Sequence, residues 1–305
     1  MSRAQPASDY VSRSNTGMKN RIINGGMDIF QRGTSISSGL NAVTYVADRW
    51  IAYATGAAVT CVRSGGDGDF QYCLANTGAV GNTNVNFTQR IEATNAYCAV
   101  GTVMTVSFRV YSTDATTINY AVDTANTADV FTSTTALVNG AAGSVLAATW
   151  KTLSFSFTTN TACKNGFQIT IGLGACGSGI TRAITGVQLE LGSIATPFEH
   201  RPYGTELALC QRYYETAPST LYGMVWSPTT VPVFGWYFKV PKRSTTPGFV
   251  GSASSRLVGN SAIAAGGQLL LAGSTVVEAQ ITTTITASVG VYWIDSYGAS
   301  FSAEL

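Results

Sequence analysis

From Ile22 onward, apolar side chains recur at every second position. In Met104-Thr-Val-Ser-Phe-Arg-Val110 they occupy 104, 106, 108 and 110, and Ile118, Tyr120 and Val122 repeat the pattern. Leu153, Phe155 and Phe157 follow, then Ile169, Ile171 and Leu173, then Val187, Leu189 and Leu191. Successive side chains of a strand point to opposite faces, so strict alternation marks strands with one face buried and one solvated, as in antiparallel sheets. Polar loops rich in Gly and Asn separate the runs, and no helical segment lies between them. That pattern predicts an all-β sandwich and not a βαβ fold, with the jelly roll as the natural architecture.

One segment has helical spacing. Thr205-Glu-Leu-Ala-Leu-Cys-Gln-Arg-Tyr-Tyr214 places Leu207, Cys210, Gln211 and Tyr214 on one face. Thr205 suits the cap, Glu206 the positive end of the helix dipole and Arg212 the negative end. After Ala217-Pro218 the alternation resumes: Phe234, Trp236, Phe238 and Val240 share a face, and Val277 to Trp293 hold one parity as one long strand or two with a bend. The chain therefore divides into a polar arm (1–20), a jelly-roll body (21–203), a short linking helix (204–216) and a smaller β-rich C-terminal domain (217–305). The arm either frays or orders on docking to a neighbouring subunit, with Tyr10 and Val11 as its anchors. No heptad pattern is present, so a homotrimer would be held by sheets and not by a coiled coil. No repeat of 20 to 50 residues suggests a solenoid.

Composition narrows the function classes. Charged residues are 11 % of the 305, well below the roughly 25 % of ordinary soluble proteins. So weakly charged a surface fits a protein that buries much of itself against partners. The net charge of +2 provides no electrostatic case for nucleic acid, and Lys239, Lys242 and Arg243 are the nearest approach to a basic cluster. No apolar run approaches a membrane span. The opening Met1-Ser-Arg-Ala-Gln-Pro6, with no apolar run before Ile22, does not read as a secretory signal, so a chain left in the cytoplasm is expected. The six cysteines, 61, 73, 98, 163, 176 and 210, contain no Cys-x-x-Cys pair. Cys163 and Cys176 bracket an apolar strand and could meet across a hairpin; free buried thiols are the plainer expectation.

Candidate chemistry is sparse. The single histidine, His200, would have to serve any Ser-His or Cys-His arrangement, and Gly-x-Ser-x-Gly and His-Glu-x-x-His are both absent. A structural role is expected for it. The acidic residues form no suggestive pair within an aromatic-lined segment, so no enzyme is expected. No cofactor is implied beyond a structural calcium, for which Asp67 and Asp69 in Gly65-Gly-Asp-Gly-Asp69 are weak candidates against an exposed loop. Aromatic residues are dense after 212. Alternation turns Trp236 and Phe238 toward the core and Tyr237 away from it, while Tyr222 and Trp226 lie in a loop-like stretch. Tyr222, Trp226 and Tyr237 are thus the candidate ligand-binding residues.

Three stretches resemble a known family: Arg21-Ile-Ile-Asn-Gly-Gly-Met-Asp-Ile-Phe-Gln-Arg-Gly-Thr34, Tyr45-Val-Ala-Asp-Arg-Trp50, and the run from Gly186-Val-Gln-Leu-Glu190 through Pro197-Phe-Glu-His-Arg-Pro202 to Tyr214. Gln89-Arg-Ile-Glu92 and Thr149-Trp-Lys-Thr-Leu-Ser-Phe155 fit the same pattern. Together they resemble phage and prophage virion proteins whose jelly-roll domain is similar to carbohydrate-binding modules, commonly labelled tail fibre or minor structural proteins. The resemblance covers about residues 20 to 216. Physically the motifs read as scaffold: Asn24-Gly25-Gly26 as a turn after a short strand, Trp50 as a packing residue, Asp48 and Arg49 as partners of each other or of strand ends, and Val187 to Leu191 as the last strand. The resemblance implies a virion component on the tail or capsid exterior, assembled in the host cytoplasm. It would be a homotrimeric fibre subunit that docks to other virion proteins by its arm and meets a host glycan or receptor with its C-terminal tip. A capsid head-fibre, cement or adaptor protein is the alternative. A depolymerase ranks lower, since the solenoid usual for such enzymes is missing.

Overall fold

A computed structural model describes residues 18–96, 98, 100–216, 220–225, 233–236, 238–244, 248–250, 269–270, 277–281, 290–295 and 300–305. The chain falls into two compact units that divide after Tyr203.

The first unit is an antiparallel sandwich. One sheet holds β1 (Ser35–Ser37), β4 (Thr60–Gly65), β5 (Tyr72–Thr77), β12 (Thr181–Leu191), β7 (Val103–Ser112) and β10 (Thr149–Thr158), neighbours in that order. The other holds β2 (Thr44–Tyr45), β3 (Ile51–Thr55), β6 (Asn84–Ile91), β11 (Phe167–Gly174), β8 (Thr116–Thr127) and β9 (Val130–Val145). From β5 to β12 the chain crosses between the sheets at every step except the β8–β9 hairpin, giving the orders 5-12-7-10 and 6-11-8-9. This wrap is the jelly roll, and the expected all-β sandwich is what the chain forms. A short helix α1 (Ala93–Ala96) and a 3-10 turn (Thr161–Asn165) cover one end.

The alternating positions are the core. Met104, Val106, Phe108 and Val110 on β7 are completely buried, and Ile169, Ile171 and Leu173 on β11 meet them from the opposite sheet. Each such side chain contributes about 1.5–3 kcal/mol by leaving water. All six cysteines are free, and five of them are buried; Cys163 and Cys176 do not bridge.

The motif stretches converge on one lock. Residues 21–26 form bends and turns, not the short strand expected before the turn. Asn24 adopts a left-handed φ of 57°, which short amide side chains tolerate by bonding locally. Its Nδ2 donates to the carbonyls of Ile29 (2.8 Å) and Asp48 (3.1 Å), and its Oδ1 accepts from the amides of Asp28 and Ile29. Fully buried Trp50 donates its indole N–H to the Asn24 carbonyl at 3.0 Å. Gln89 bonds both the amide and the carbonyl of Ile23. Gly25 lies against Val187, where any Cβ would overlap the Val187 carbonyl. Asp48 accepts from Gln31 and faces Arg32 at 3.8 Å, and Arg49 donates to the Arg90 carbonyl. Arg49 has a left-handed φ of 70°, so it and its neighbour do not continue one strand face.

The second unit begins with helix α2 (Tyr203–Gln211). The helix starts two residues before the expected cap, Thr205, and stops before Tyr214. Tyr214 instead opens β13 (Tyr214–Thr216), which pairs with β20 (Ser300–Ser302) in a sheet completed by β16 (Gly248–Val250). Glu206 stands in the first turn, as the dipole favours, and is buried. A five-stranded sheet follows the order β17 (Leu269–Leu270), β18 (Val277–Ile281), β15 (Val233–Trp236), β14 (Thr220–Val225) and β19 (Gly290–Asp295). The long run from 277 to 293 therefore supplies two strands that are not neighbours. Buried Lys242 lies 2.5 Å from buried Glu215 and 4.4 Å from the Phe238 ring centre, so it adds no surface charge to the cluster with exposed Lys239 and half-buried Arg243. Burial lowers the Lys242 pKa against the pull of Glu215. Among the described residues no helix is long and apolar enough to cross a membrane.

Candidate functional site

The candidate site lies on the outer face of the sheet containing β7, β10 and β12. Because Val106, Phe108 and Val110 point inward, Ser107 and Arg109 project outward, and Thr152 on neighbouring β10 does the same. On the other side of β7, the pairing with β12 slips between Thr185 and Gln188. This bulge inserts one extra residue, and bulges bend a strand locally. Gly186 sits in it with a left-handed φ of 59°, and a Cβ there would overlap the Phe70 ring. The glycine thus lets Phe70, carried on the 66–71 loop, lie directly on the β12 backbone.

The segment after β12 closes the far side. Phe198 meets Phe70 edge to face at 5.0 Å, and His200 lies 5.5 Å from Phe70 and 4.9 Å from Phe198. Its course is set by Glu190, which accepts from the amide and hydroxyl of Thr196, and by Gln188, which accepts from the amide of Glu199. Together these elements enclose a cavity of about 510 Å³, walled by Phe70, Phe198 and His200 and floored by Ser107, Arg109 and Thr152.

Asp67 and Asp69 flank Arg109. The guanidinium pairs with the Asp67 carboxylate and, at 3.1 Å, with Asp69. The Asp67 side chain is 4 % exposed and that of Asp69 is 74 % exposed. Burial raises the Asp67 pKa, and the nearby Arg109 charge only partly offsets this. A calcium ion at these two carboxylates would compete with a cation the fold already provides. Among the described residues, no group of three or more His, Cys, Asp or Glu side chains is placed to hold a metal. Two carboxylates and a guanidinium are a poor set for an ion that takes six to eight oxygens.

Of the other residues singled out in the sequence, Tyr222 lies on β14 opposite Trp293. Trp226 and Tyr237 lie outside the described residues. Among the described residues, the cavity with both aromatic and polar lining lies in the sandwich. His200, read from sequence as structural, is exposed at the rim of the cavity. Arg109, Phe70 and Phe198 were not singled out. Phe198 and His200 did stand inside the Pro197-Phe-Glu-His-Arg-Pro202 motif, the one signal pointing to this region. A second cavity of about 540 Å³ in the other unit is lined by Thr205, Ala208, Leu209 and Val240 with Arg212, and it offers far less hydrogen-bonding chemistry.

No protein-family model matches the chain, and no curated protein does. Solved structures do match. The enzymatically active domain of tailspike protein 4 from bacteriophage CBA120 is 17 % identical over 57 % of this chain and 22 % of its own, with a TM-score of 0.37. A putative sugar-binding protein from Bacteroides thetaiotaomicron is 13 % identical over 57 % of this chain and all of its own, at 0.39. A family 4 carbohydrate-binding module is 15 % identical over 47 % of this chain and 95 % of its own, at 0.34. The aligned region is thus a small part of the tailspike chain. Likeness at this level assigns no activity.

Proposed function

We propose that this chain is a non-enzymatic structural component of a bacteriophage particle, a fibre or tail-fibre subunit that attaches the particle to a host-surface glycan. The observation that carries the glycan part is the cavity at the β12 bulge. It pairs an aromatic wall with a floor of two hydroxyls and a guanidinium on a sheet, and the Asp69 carboxylate also lines it. Sugar rings present apolar C–H faces and polar edges, and they are held by that pairing: ring faces against aromatics, hydroxyls against charged and hydroxyl groups. The family resemblance of the motif stretches supports the virion part, and the weakly charged composition is in keeping with it. In this reading the polar arm docks to neighbouring virion proteins and a homotrimer presents several cavities, so that weak single contacts add through avidity.

Two measurements test the reading. Antibodies raised against residues 21–203 should decorate purified particles, and electron microscopy then locates the chain on them. On an oligosaccharide array the intact chain should bind a defined subset, and Phe198→Ala should weaken that binding about tenfold, the loss of one stacking face. Undecorated particles would remove the virion part. An array blank for wild-type protein would remove the glycan part.

A further inference from the structure

We infer that the cavity selects neutral, hydroxyl-rich sugars and rejects acidic ones; this rests on the glycan reading above. Three cations lie beside the cavity: Arg109 in the floor, and Lys19 and Arg201 next to the segment that closes it; of the other basic groups on its elements, Arg182 is paired with Asp114, Lys151 is bonded to the Ser144 carbonyl, and His200 is packed on the Phe70 and Phe198 rings.

Each cation is already engaged. Arg109 pairs with both Asp67 and Asp69. Lys19 donates to the Thr196 hydroxyl and the Pro197 carbonyl and lies 3.9 Å from Glu190. Arg201 donates to the carbonyls of Asn20 and Ile22 and faces Glu199 at 3.5 Å. Against these three positive charges stand four carboxylates, Asp67, Asp69, Glu190 and Glu199. The most open of the four is Asp69 at the mouth.

An anionic sugar would meet that carboxylate without an uncommitted guanidinium or ammonium to receive it. Breaking the Arg109 fork to free one would strand the buried Asp67 carboxylate, which is costly. A neutral sugar meets the opposite situation. Its hydroxyl protons are donors for the solvated Asp69 carboxylate, and its ring oxygens are acceptors for Ser107 and Thr152 hydroxyls. Arg109 thus acts as a positioning residue that aims Asp69 across the cavity.

The test is equilibrium binding of the intact chain by calorimetry. The probes are maltotetraose, cellotetraose, mannotetraose and lacto-N-tetraose against tetragalacturonate and sialyl-lacto-N-tetraose, at low and high salt. At least one neutral probe is expected to bind. Acidic probes should bind at least about fivefold more weakly at low salt, with the gap narrowing as salt screens the repulsion. Asp69→Asn removes the open carboxylate and relaxes one arm of Arg109, so it should raise affinity for the acidic probes and lower it for the neutral one. Tighter binding of an acidic probe by wild-type protein would overturn the selectivity and leave the glycan reading standing. Unchanged affinities in Asp69→Asn would also overturn it. Binding of no sugar of either class would overturn both.

Discussion

Asn24 shows how one side chain can hold a fold. Its amide satisfies two carbonyls and two backbone N–H groups, and its own carbonyl receives the Trp50 indole. Asn24→Ala would strand these buried groups and place alanine at a left-handed φ, for an expected loss of about 3 kcal/mol. Urea denaturation, with hydrogen exchange assigning the transition to residues 18–203, checks the figure; a loss under about 1 kcal/mol would reject the lock. The sequence Asn-Gly-Gly announced a turn here, but the partners of the amide lie up to 24 residues away and no local pattern names them. The cavity shows the same limit: Phe70, Arg109 and Gly186 are far apart in the chain and meet only because β12 lies beside β7.

At the scale of elements, legibility followed burial. β7, β10 and β11 alternate cleanly because one face of each enters the core. β9 was not read from the sequence because it is an edge strand of 16 residues, mostly exposed or half-exposed on both faces, with no uniform burial to impose alternation. The connection after β12 is held differently, by hydrogen bonds. Asn20 bonds Val187 and Leu189, while Glu199 accepts from the amides of Lys19 and Asn20. Glu199→Ala should release this clasp. Faster hydrogen exchange at residues 19–22 and a loss of about 1.5–3 kcal/mol are expected, the range for hydrogen bonds to a charged group. Exchange unchanged in that segment would show the clasp to be incidental.

At the scale of the whole molecule, acid stability follows from two carboxylates. Burial alone would push Asp114 and Glu199 up. Hydrogen bonds from Ser112 and Arg182 outweigh it at Asp114, and those from the Asn20 and Lys19 amides do so at Glu199, leaving both below the usual carboxylate range. A depressed folded pKa adds stability that is complete above the unfolded value, about 4, and is lost as pH falls through the folded one. Asp67, raised by burial, works in the opposite sense and blunts the effect. Thermal unfolding of the intact chain from about pH 2 to 7 should therefore show a fall below about pH 4. The Asp114→Asn, Glu199→Ala double variant should be less stable at neutral pH and flatter in acid; an identical acid limb would sink the assignment. The sequence by itself determined the sandwich, because alternation is a local consequence of burying one face of a strand. It also determined the presence of a helix near 205–211. Only the tertiary structure decided where the helix stops, since Tyr214 is taken into a sheet by residues almost ninety positions later. It alone gave Asp67 and Asp69 a guanidinium for company, and it brought Phe70, Arg109 and Phe198 together at the β12 bulge. Those outcomes depend on which distant segments become neighbours, and neither hydropathy nor spacing encodes that.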